Sequence, residues 1–147
     1  MSYEIINPKS LGEPRGWNNG MLGPAGGRVL LIAGQIGTDE AGVIHHTSLA
    51  EQFGVALKNS ATVVQEAGGS VSDIGRLTVY VTDVDEYRSN LKDIGAAYRS
   101  VMGRHFPAMA LVAVSALVHP DAVVEVEATA IIPPREQDDA KEAPDVG

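Results

Sequence analysis

The feature that most constrains this chain is an alternation of two amphipathic helical segments with strand-like runs. The first helical segment begins at the capping box Ser48-Leu49-Ala50-Glu51, in which the serine hydroxyl accepts a hydrogen bond from a first-turn amide. Apolar side chains recur along it at helical spacing as far as Gly68-Gly69, where glycine tolerates the geometry that ends helices. A second helix is predicted to run from Asp83, its N-cap, to Gly103. Each helix has one apolar stripe, so each must bury one side against a neighbouring layer.

Strand-like segments flank and separate these helices. Residues 76–82 alternate, with Leu77, Val79 and Val81 pointing one way and polar side chains the other. Residues 29–33 form a continuous apolar run ended by Gly34, which predicts a buried strand. Further strands are predicted at residues 3–6, 17–21, 108–117 and 122–132.

The order of strands, helix, strand, helix and strands predicts an α+β fold with both helices on one face of a single sheet. The opposite face would present Thr78, Tyr80, Glu125 and Glu127 to water. Self-association would cover that face, and we therefore expect an oligomer. The chain is expected to form one domain over residues 1–132, followed by an acidic tail, 133–147, that is too polar to fold.

Composition excludes several classes of function. The 147 residues include no cysteine, which rules out disulfides, thiolate metal sites and cysteine nucleophiles. A net charge of −8 disfavours a nucleic-acid partner. No apolar run approaches the roughly 20 residues of a membrane helix. The N-terminal residues do not show the basic and then apolar pattern of a signal peptide, so none is expected. The expectation is a cytoplasmic protein without a membrane partner.

Motifs for metal, phosphate or serine chemistry are missing. The adjacent His45 and His46 cannot both face one metal from a regular strand, and we predict no metal site. Neither a G-x-S-x-G elbow nor a glycine-rich phosphate loop occurs. Glu125 and Glu127 share one face of a predicted strand, where two carboxylates can divide acid and base work. The alternative is an exposed face on which both simply stay ionised.

Five motifs in chain order resemble those of the Rid (YjgF) family, also labelled L-PSP endoribonuclease. The resemblance runs from about residue 17 to residue 132, which is most of the chain. They are Ala33-Gly34-Gln35-Ile36-Gly37 for S-G-Q-I, Ala67-Gly68-Gly69 with Asp73-Ile74 for A-A-G and D-I/V, 78–83 for T-V-F-x-x-D, 106–114 for F-P-A-R-[ST]-x-V-E-V, and 124–130 for V-E-I-E-A-I-A.

The resemblance implies a chorismate-mutase-like fold and a homotrimer with small-molecule ligands in clefts between subunits. In the catalytic branch of the family, these clefts hydrolyse reactive enamines and imines to ketoacids and ammonia without a cofactor. Carried over by position, the glutamate that orients the attacking water is Glu127, and the aromatic residue at the cleft mouth is Trp17. Gly34 corresponds to the glycine of S-G-Q.

The remaining pocket positions depart from the family pattern. Met109 stands where the family has the arginine that grips the substrate carboxylate, and a thioether cannot make that bidentate contact. Ala110, Ala33 and Gly95 stand at three further polar positions of the family. His105, next to this segment, is a candidate replacement cation when protonated, although a plain loop histidine is the simpler reading.

Two functions follow from these residues. One is a Rid-like enamine or imine deaminase with an altered substrate, in which Trp17 and Met109 shape the pocket and Glu127 activates water. The alternative is a non-catalytic trimer that binds a small apolar metabolite. Endoribonuclease activity has little support, because the chain is acidic and has no basic stripe with interleaved aromatic residues.

Overall fold

The structure, a computed structural model, describes residues 3–134, so nearly all of the predicted acidic tail lies outside the described residues. The elements within this range are nine helices and strands, joined by short 3-10 turns at Lys9–Leu11 and Val71–Asp73. They are β1 Glu4–Ile6, β2 Gly20–Leu22, β3 Arg28–Gln35, α1 Leu49–Glu66, β4 Ile74–Val81, α2 Val84–Ser89, α3 Leu91–Met102, β5 Ala108–Ala113 and β6 Val124–Ile132.

The main sheet has four strands in the order β3-β6-β4-β5. Strands β4 and β5 are parallel and are connected through α2 and α3, whereas β6 runs antiparallel to both of its neighbours. Strands β1 and β2 form a separate antiparallel pair. The predicted α+β class is confirmed. Where a strand was predicted at residues 17–21, the structure has the shorter strand β2, Gly20–Leu22.

Helix α1 begins and ends where its sequence predicts. The Ser48 hydroxyl accepts from the Glu51 amide at 3.3 Å and donates to the Glu51 carboxylate at 3.1 Å. The first-turn amide of Leu49 donates to Glu86 of α2 at 3.0 Å, so the start of α1 is also fastened to the other helical layer. Gly68 follows the helix with a φ of 86°, which only glycine adopts freely.

The prediction of one continuous second helix is wrong, because the helix is interrupted at Asn90. The cap itself is as expected, since Asp83 accepts from the amides of Asp85 and Glu86. The Asn90 side chain then donates to the Glu86 carbonyl at 2.8 Å, taking the acceptor that the next turn would use. With a φ of −127° Asn90 leaves the helical region, and α3 begins at Leu91.

The core lies between the helices and one face of the sheet. Leu77, Val79 and Val81 of β4 are almost completely buried there, as the alternation predicts. Three aromatic rings stack beneath α3: Phe53 and Tyr98 have centroids 6.5 Å apart, and Tyr98 and Phe106 5.5 Å apart. Both long helical segments therefore contribute to one core, as expected.

The prediction that residues 29–33 form a buried strand is wrong for a single chain. Ile32 is 4% exposed, but Val29 and Leu31 are 66% and 77% exposed. Strand β3 lies at the edge of the sheet, and its alternate side chains point to the face without helices. We call this side, with its exposed residues of β3, β4 and β6, the open face. No helix in residues 3–134 is long and apolar enough to cross a membrane.

Candidate functional site: an apolar pocket and an acidic sheet face

A pocket of about 440 Å³ opens on the helix side of the molecule, between α3, β5 and the loop before β2. It brings together four residues that the sequence singled out. They are Trp17, Gly95, Met109 and Ala110. This volume lies within the usual range of small-molecule sites, roughly 300–1,000 Å³. A wider and more open groove of about 750 Å³ runs between the outer sides of α1 and α3, and none of the predicted site residues lines it.

The inner wall of this pocket is apolar and aromatic. Met109 is opposite Leu77 in the β4–β5 ladder, which turns its side chain toward the helices. Tyr98 and Phe106 lie almost parallel, at 4°. The Tyr98 hydroxyl donates to the His105 carbonyl at 2.5 Å, and burial raises the pKa of this phenol. Tyr98 is thus a neutral residue of the pocket wall whose hydroxyl is already hydrogen-bonded.

Two arginines at the pocket were missed by the sequence reasoning. Arg15, in the loop before Trp17, and Arg99, one helical turn after Gly95, both line it. A Cβ placed on Gly95 would lie 3.1 Å from Nη1 of Arg99, so the guanidinium lies over the bare glycine backbone. The i, i+4 spacing of Gly95 and Arg99 was the available signal, because such residues are neighbours on a helix.

The open face carries the predicted acid. Glu127 is opposite Thr78 in the β4–β6 ladder, and Glu125 is opposite Tyr80. The Tyr80 hydroxyl donates to Oε1 of Glu127 at 2.7 Å. This hydrogen bond is the main reason that the pKa of Tyr80 is raised, with partial desolvation and the charges of both glutamates adding to it. Tyr80 therefore stays protonated and holds one carboxylate oxygen, which leaves the other free to accept.

Ala33 and Gly34 are both exposed on β3, and Gly34 lies against Glu125. A Cβ on Gly34 would fall 2.3 Å from Oε1 of Glu125, so the missing side chain makes room for that carboxylate. The predicted sharing of one face by Glu125 and Glu127 is confirmed by their register. Tyr80 is the partner that sequence reasoning did not assign.

His105 lies apart from both groups. Its Nε2 is 2.6 Å from the carbonyl of Ile74, and the side chain is half-buried. It does not line the pocket in this chain. Of the other histidines, His45 pairs with Asp39 at 2.6 Å and His46 with Glu51 at 2.5 Å. Within residues 3–134, no three His, Asp or Glu side chains converge as metal ligands would.

Apart from His105, the predicted site residues that the structure places form two groups on opposite sides of one sheet. Trp17, Gly95 and Met109 belong to the pocket, whereas Gly34 and Glu127 belong to the open face. Ala110 stands between the groups, because it lines the pocket but is opposite Thr78, a residue of the open face. A single chain does not bring Met109 and Glu127 together.

The fold and pocket define a chorismate-mutase-like α+β protein with an apolar cavity of small-molecule size. The sequence profile of the family described as Endoribonuclease L-PSP matches residues 16–132. The chain therefore belongs to this family, which is the Rid or YjgF family.

Relatives and solved structures agree with this assignment. A RutC family protein of Pyrococcus abyssi is 32% identical over 105 residues, covering 71% of this chain and 79% of the relative. Human 2-iminobutanoate/2-iminopropanoate deaminase is 31% identical over 105 residues, covering 71% and 73%. The Rid family protein YyfB of Yersinia pestis superposes with a TM-score of 0.78 at 29% identity, over 90% of this chain and all of that one. E. coli TdcF with bound serine gives 0.63 at 26% identity, over 90% and 94%.

Proposed function

We propose that this chain is the subunit of a deaminase that hydrolyses an apolar or aromatic imine or enamine rather than a small 2-iminoacid. The observation that carries the proposal is the pairing of an apolar pocket around Met109 with a retained, tyrosine-held carboxylate at Glu127. The relatives that are named deaminases, at about 30% identity, support the reaction class.

The chemistry requires one base and one water. Water adds to the carbon of the protonated C=N bond while Glu127 accepts a proton from it, which gives a carbinolamine. Glu127 returns this proton to the nitrogen, the C–N bond breaks to release ammonia, and the hydroxyl loses its proton as the C=O bond forms. An enamine enters the same route after protonation at carbon. Tyr80 acts as a positioning residue, because its hydrogen bond fixes the carboxylate of Glu127.

Assembly of the cleft requires more than one copy of the chain. The pocket and Glu127 lie on opposite sides of the sheet, so the open face of one copy must approach the pocket of another. Leu31 and Val29 present exposed apolar surface on that open face, which supports contact there. A homotrimer with three small-molecule clefts, as the family resemblance implies, satisfies both conditions.

The substrate differs from that of the iminoacid deaminases because of the pocket wall. Removing one partner of a desolvated charge pair typically costs about 2–5 kcal/mol of binding. Met109 has no charge with which to hold a carboxylate at the family position. An apolar body that contacts Met109 and Trp17 gains burial instead.

The test is hydrolysis of imines generated in the assay. An amine oxidase acting on benzylamine supplies an aromatic imine, and an amino-acid oxidase acting on alanine supplies a small 2-iminoacid. We expect ammonia release above the spontaneous rate for the first and little for the second. Glu127→Gln and Glu127→Ala should both reduce the rate about a hundredfold or more, whereas Glu66→Gln, an exposed acid at the end of α1, should not. Wild-type rates equal to the spontaneous rate for both imines would refute the enzyme.

The second candidate is a non-catalytic binding trimer for a small apolar metabolite. The observation that favours it is the loss of polar groups at Ala33, Gly95, Met109 and Ala110 together. Calorimetry with benzaldehyde and benzylamine separates the two functions. Binding without turnover, unchanged in Glu127→Gln, would favour the binding protein over the deaminase.

A further inference from the structure

The mouth of the pocket carries positive charge that no acid of residues 3–134 pairs with. Arg15 and Arg99 both line it, beside Trp17. Ion pairs in the described residues 3–134 involve only the side chains of His45, His46 and Arg88 as cations, so no carboxylate there lies within 4.0 Å of either guanidinium. Both arginines are exposed. An arginine beside an apolar cavity that has no carboxylate partner among the described residues can offer its N–H donors to a ligand.

Gly95 is the second observation that points to Arg99. Glycine inside a helix is less favourable than alanine by about 1 kcal/mol, and Gly95 lies within α3. Its backbone supports the Arg99 guanidinium, because a Cβ there would be 3.1 Å from Nη1, 3.8 Å from Cζ and 3.9 Å from Nη2. The glycine therefore lets this guanidinium lie closer to the helix backbone at the pocket edge than an alanine would.

We propose that Arg99 is the anion-binding residue of this pocket and that its ligand is amphiphilic, with an apolar body and a single carboxylate. The role of this ligand as a substrate rests on the proposed deaminase function, whereas its binding to Arg99 does not. The apolar body contacts Met109 and Trp17, and the carboxylate receives the two parallel N–H donors of Arg99. Arg15 adds charge at the same mouth.

The position of the charge decides which anions fit. Arg99 projects from α3, on the helix side of the pocket, whereas Met109 belongs to strand β5. The carboxylate of the ligand therefore lies toward α3 and away from strand β5. A monoanion is favoured over a phosphate dianion, because the net charge of −8 repels multiply charged anions.

A binding experiment tests the anion site directly. Hydrocinnamate and its neutral amide have the same apolar body and differ in one charge. Calorimetry with the full-length protein should show tighter binding of the acid. Arg99→Met should weaken acid binding about tenfold and leave amide binding within about twofold. Arg104→Met makes the same charge change at an exposed arginine outside the pocket and should leave both ligands unaffected.

Gly95→Ala adds a readout that a purely structural role would not give. Alanine should raise the thermal unfolding midpoint, because it favours the helix. It should also weaken hydrocinnamate binding modestly, because its methyl group shifts the guanidinium from its position over Gly95. Opposite signs in stability and binding support the inference, and parallel changes or unchanged acid binding contradict it.

Hydrolysis assays separate failure of this inference from failure of the proposed function. Imines generated from benzylamine and from para-(aminomethyl)benzoic acid differ only in a distal carboxylate. Arg99→Met should raise KM for the acidic imine alone, and Glu127→Ala should abolish turnover of both. Turnover without any preference for the acid, equally in wild type and Arg99→Met, overturns the anion site and leaves the deaminase. Arg99-dependent binding of hydrocinnamate without turnover overturns the deaminase and supports the anion site. Binding of neither ligand, without turnover, overturns both.

Discussion

The two faces of the main sheet differ although the same strands build them. On the helix side, Leu77 of β4 is 0% exposed and packs in one continuous core. On the open face, the next residue, Thr78, stands opposite Glu127 among partly exposed side chains. Alternate side chains of this strand are therefore buried in the core of the single chain, and the others remain partly exposed on the open face. The helix side contributes most of the burial that stabilises the fold, whereas the open face carries the proposed base, Glu127.

Two tyrosines show the same difference in their chemistry. Tyr98 has a raised pKa because burial disfavours the phenolate. Tyr80 has a raised pKa chiefly because its hydroxyl donates to Glu127. Burial thus raises the pKa of Tyr98, whereas the hydrogen bond to Glu127 is the largest cause of the raised pKa of Tyr80.

The largest effect is expected from charging the open face. Leu31→Arg places a cation in the surface that we propose to be covered in the trimer, where burying an unpaired charge is strongly unfavourable. Light scattering should show wild type at the mass of three 15.4 kDa chains and the variant at one. Val118→Arg charges a fully exposed loop valine and should keep the trimer. If wild type has the mass of a single chain at micromolar concentration, the open face is not covered by self-association and the trimer proposal is wrong.

The next effect contrasts adjacent residues of β4. Leu77→Ala leaves a cavity in the core and should lower the free energy of unfolding by about 2–5 kcal/mol. Thr78→Ala, on the open face, should change it by about 0.5 kcal/mol or less. Urea denaturation at one fixed protein concentration measures both. Equal losses would show that the open face contributes to stability as much as the core does.

Alkaline pH should lower the free energy of unfolding through Tyr98, which is buried on the helix side of the sheet. The pKa of Tyr98 is raised above its ordinary value of 10.0, so the unfolded chain loses this proton first as the pH rises. Stability from this group is therefore complete below about pH 10 and falls above it, by at most about 1.4 kcal/mol per pH unit for one proton. Urea denaturation at a series of pH values should give a shallower decline for Tyr98→Phe than for wild type. Identical pH profiles would show that burial of this phenol is not the cause.

The smallest expected effect is local to the open face. In Glu127→Gln the charged acceptor of the Tyr80 hydroxyl is lost, so the pKa of Tyr80 should fall toward its ordinary value. Tyr98 should titrate as in wild type, because its shift arises from burial. NMR titration of ring carbon signals follows the two groups separately. A Tyr80 pKa that does not respond to Glu127→Gln would contradict the positioning of the carboxylate.

Much of the architecture could be predicted from local patterns. The capping box at Ser48, the glycine stop at Gly68 and the alternation in β4 each act over a few residues, and the structure confirms all three. The Asn90 break was missed, because helix periodicity continues across it while a single side chain takes the Glu86 carbonyl. The exposure of Val29 and Leu31 was also missed, since an apolar run does not reveal that its strand lies at an edge.

By itself, the sequence determined the broad order of strands and helices, the α+β class and the family, because these depend on residue identity and short-range spacing. The substitution of Met109 for the family's arginine stays a prediction. Only the tertiary structure decided which residues meet. Strand register placed Tyr80 against Glu127, two residues 47 positions apart. The packing of α3 beside β5 placed Arg99 and Met109 in one pocket and left Glu127 on the other side of the sheet. Such contacts depend on how distant segments pack, which no local pattern encodes.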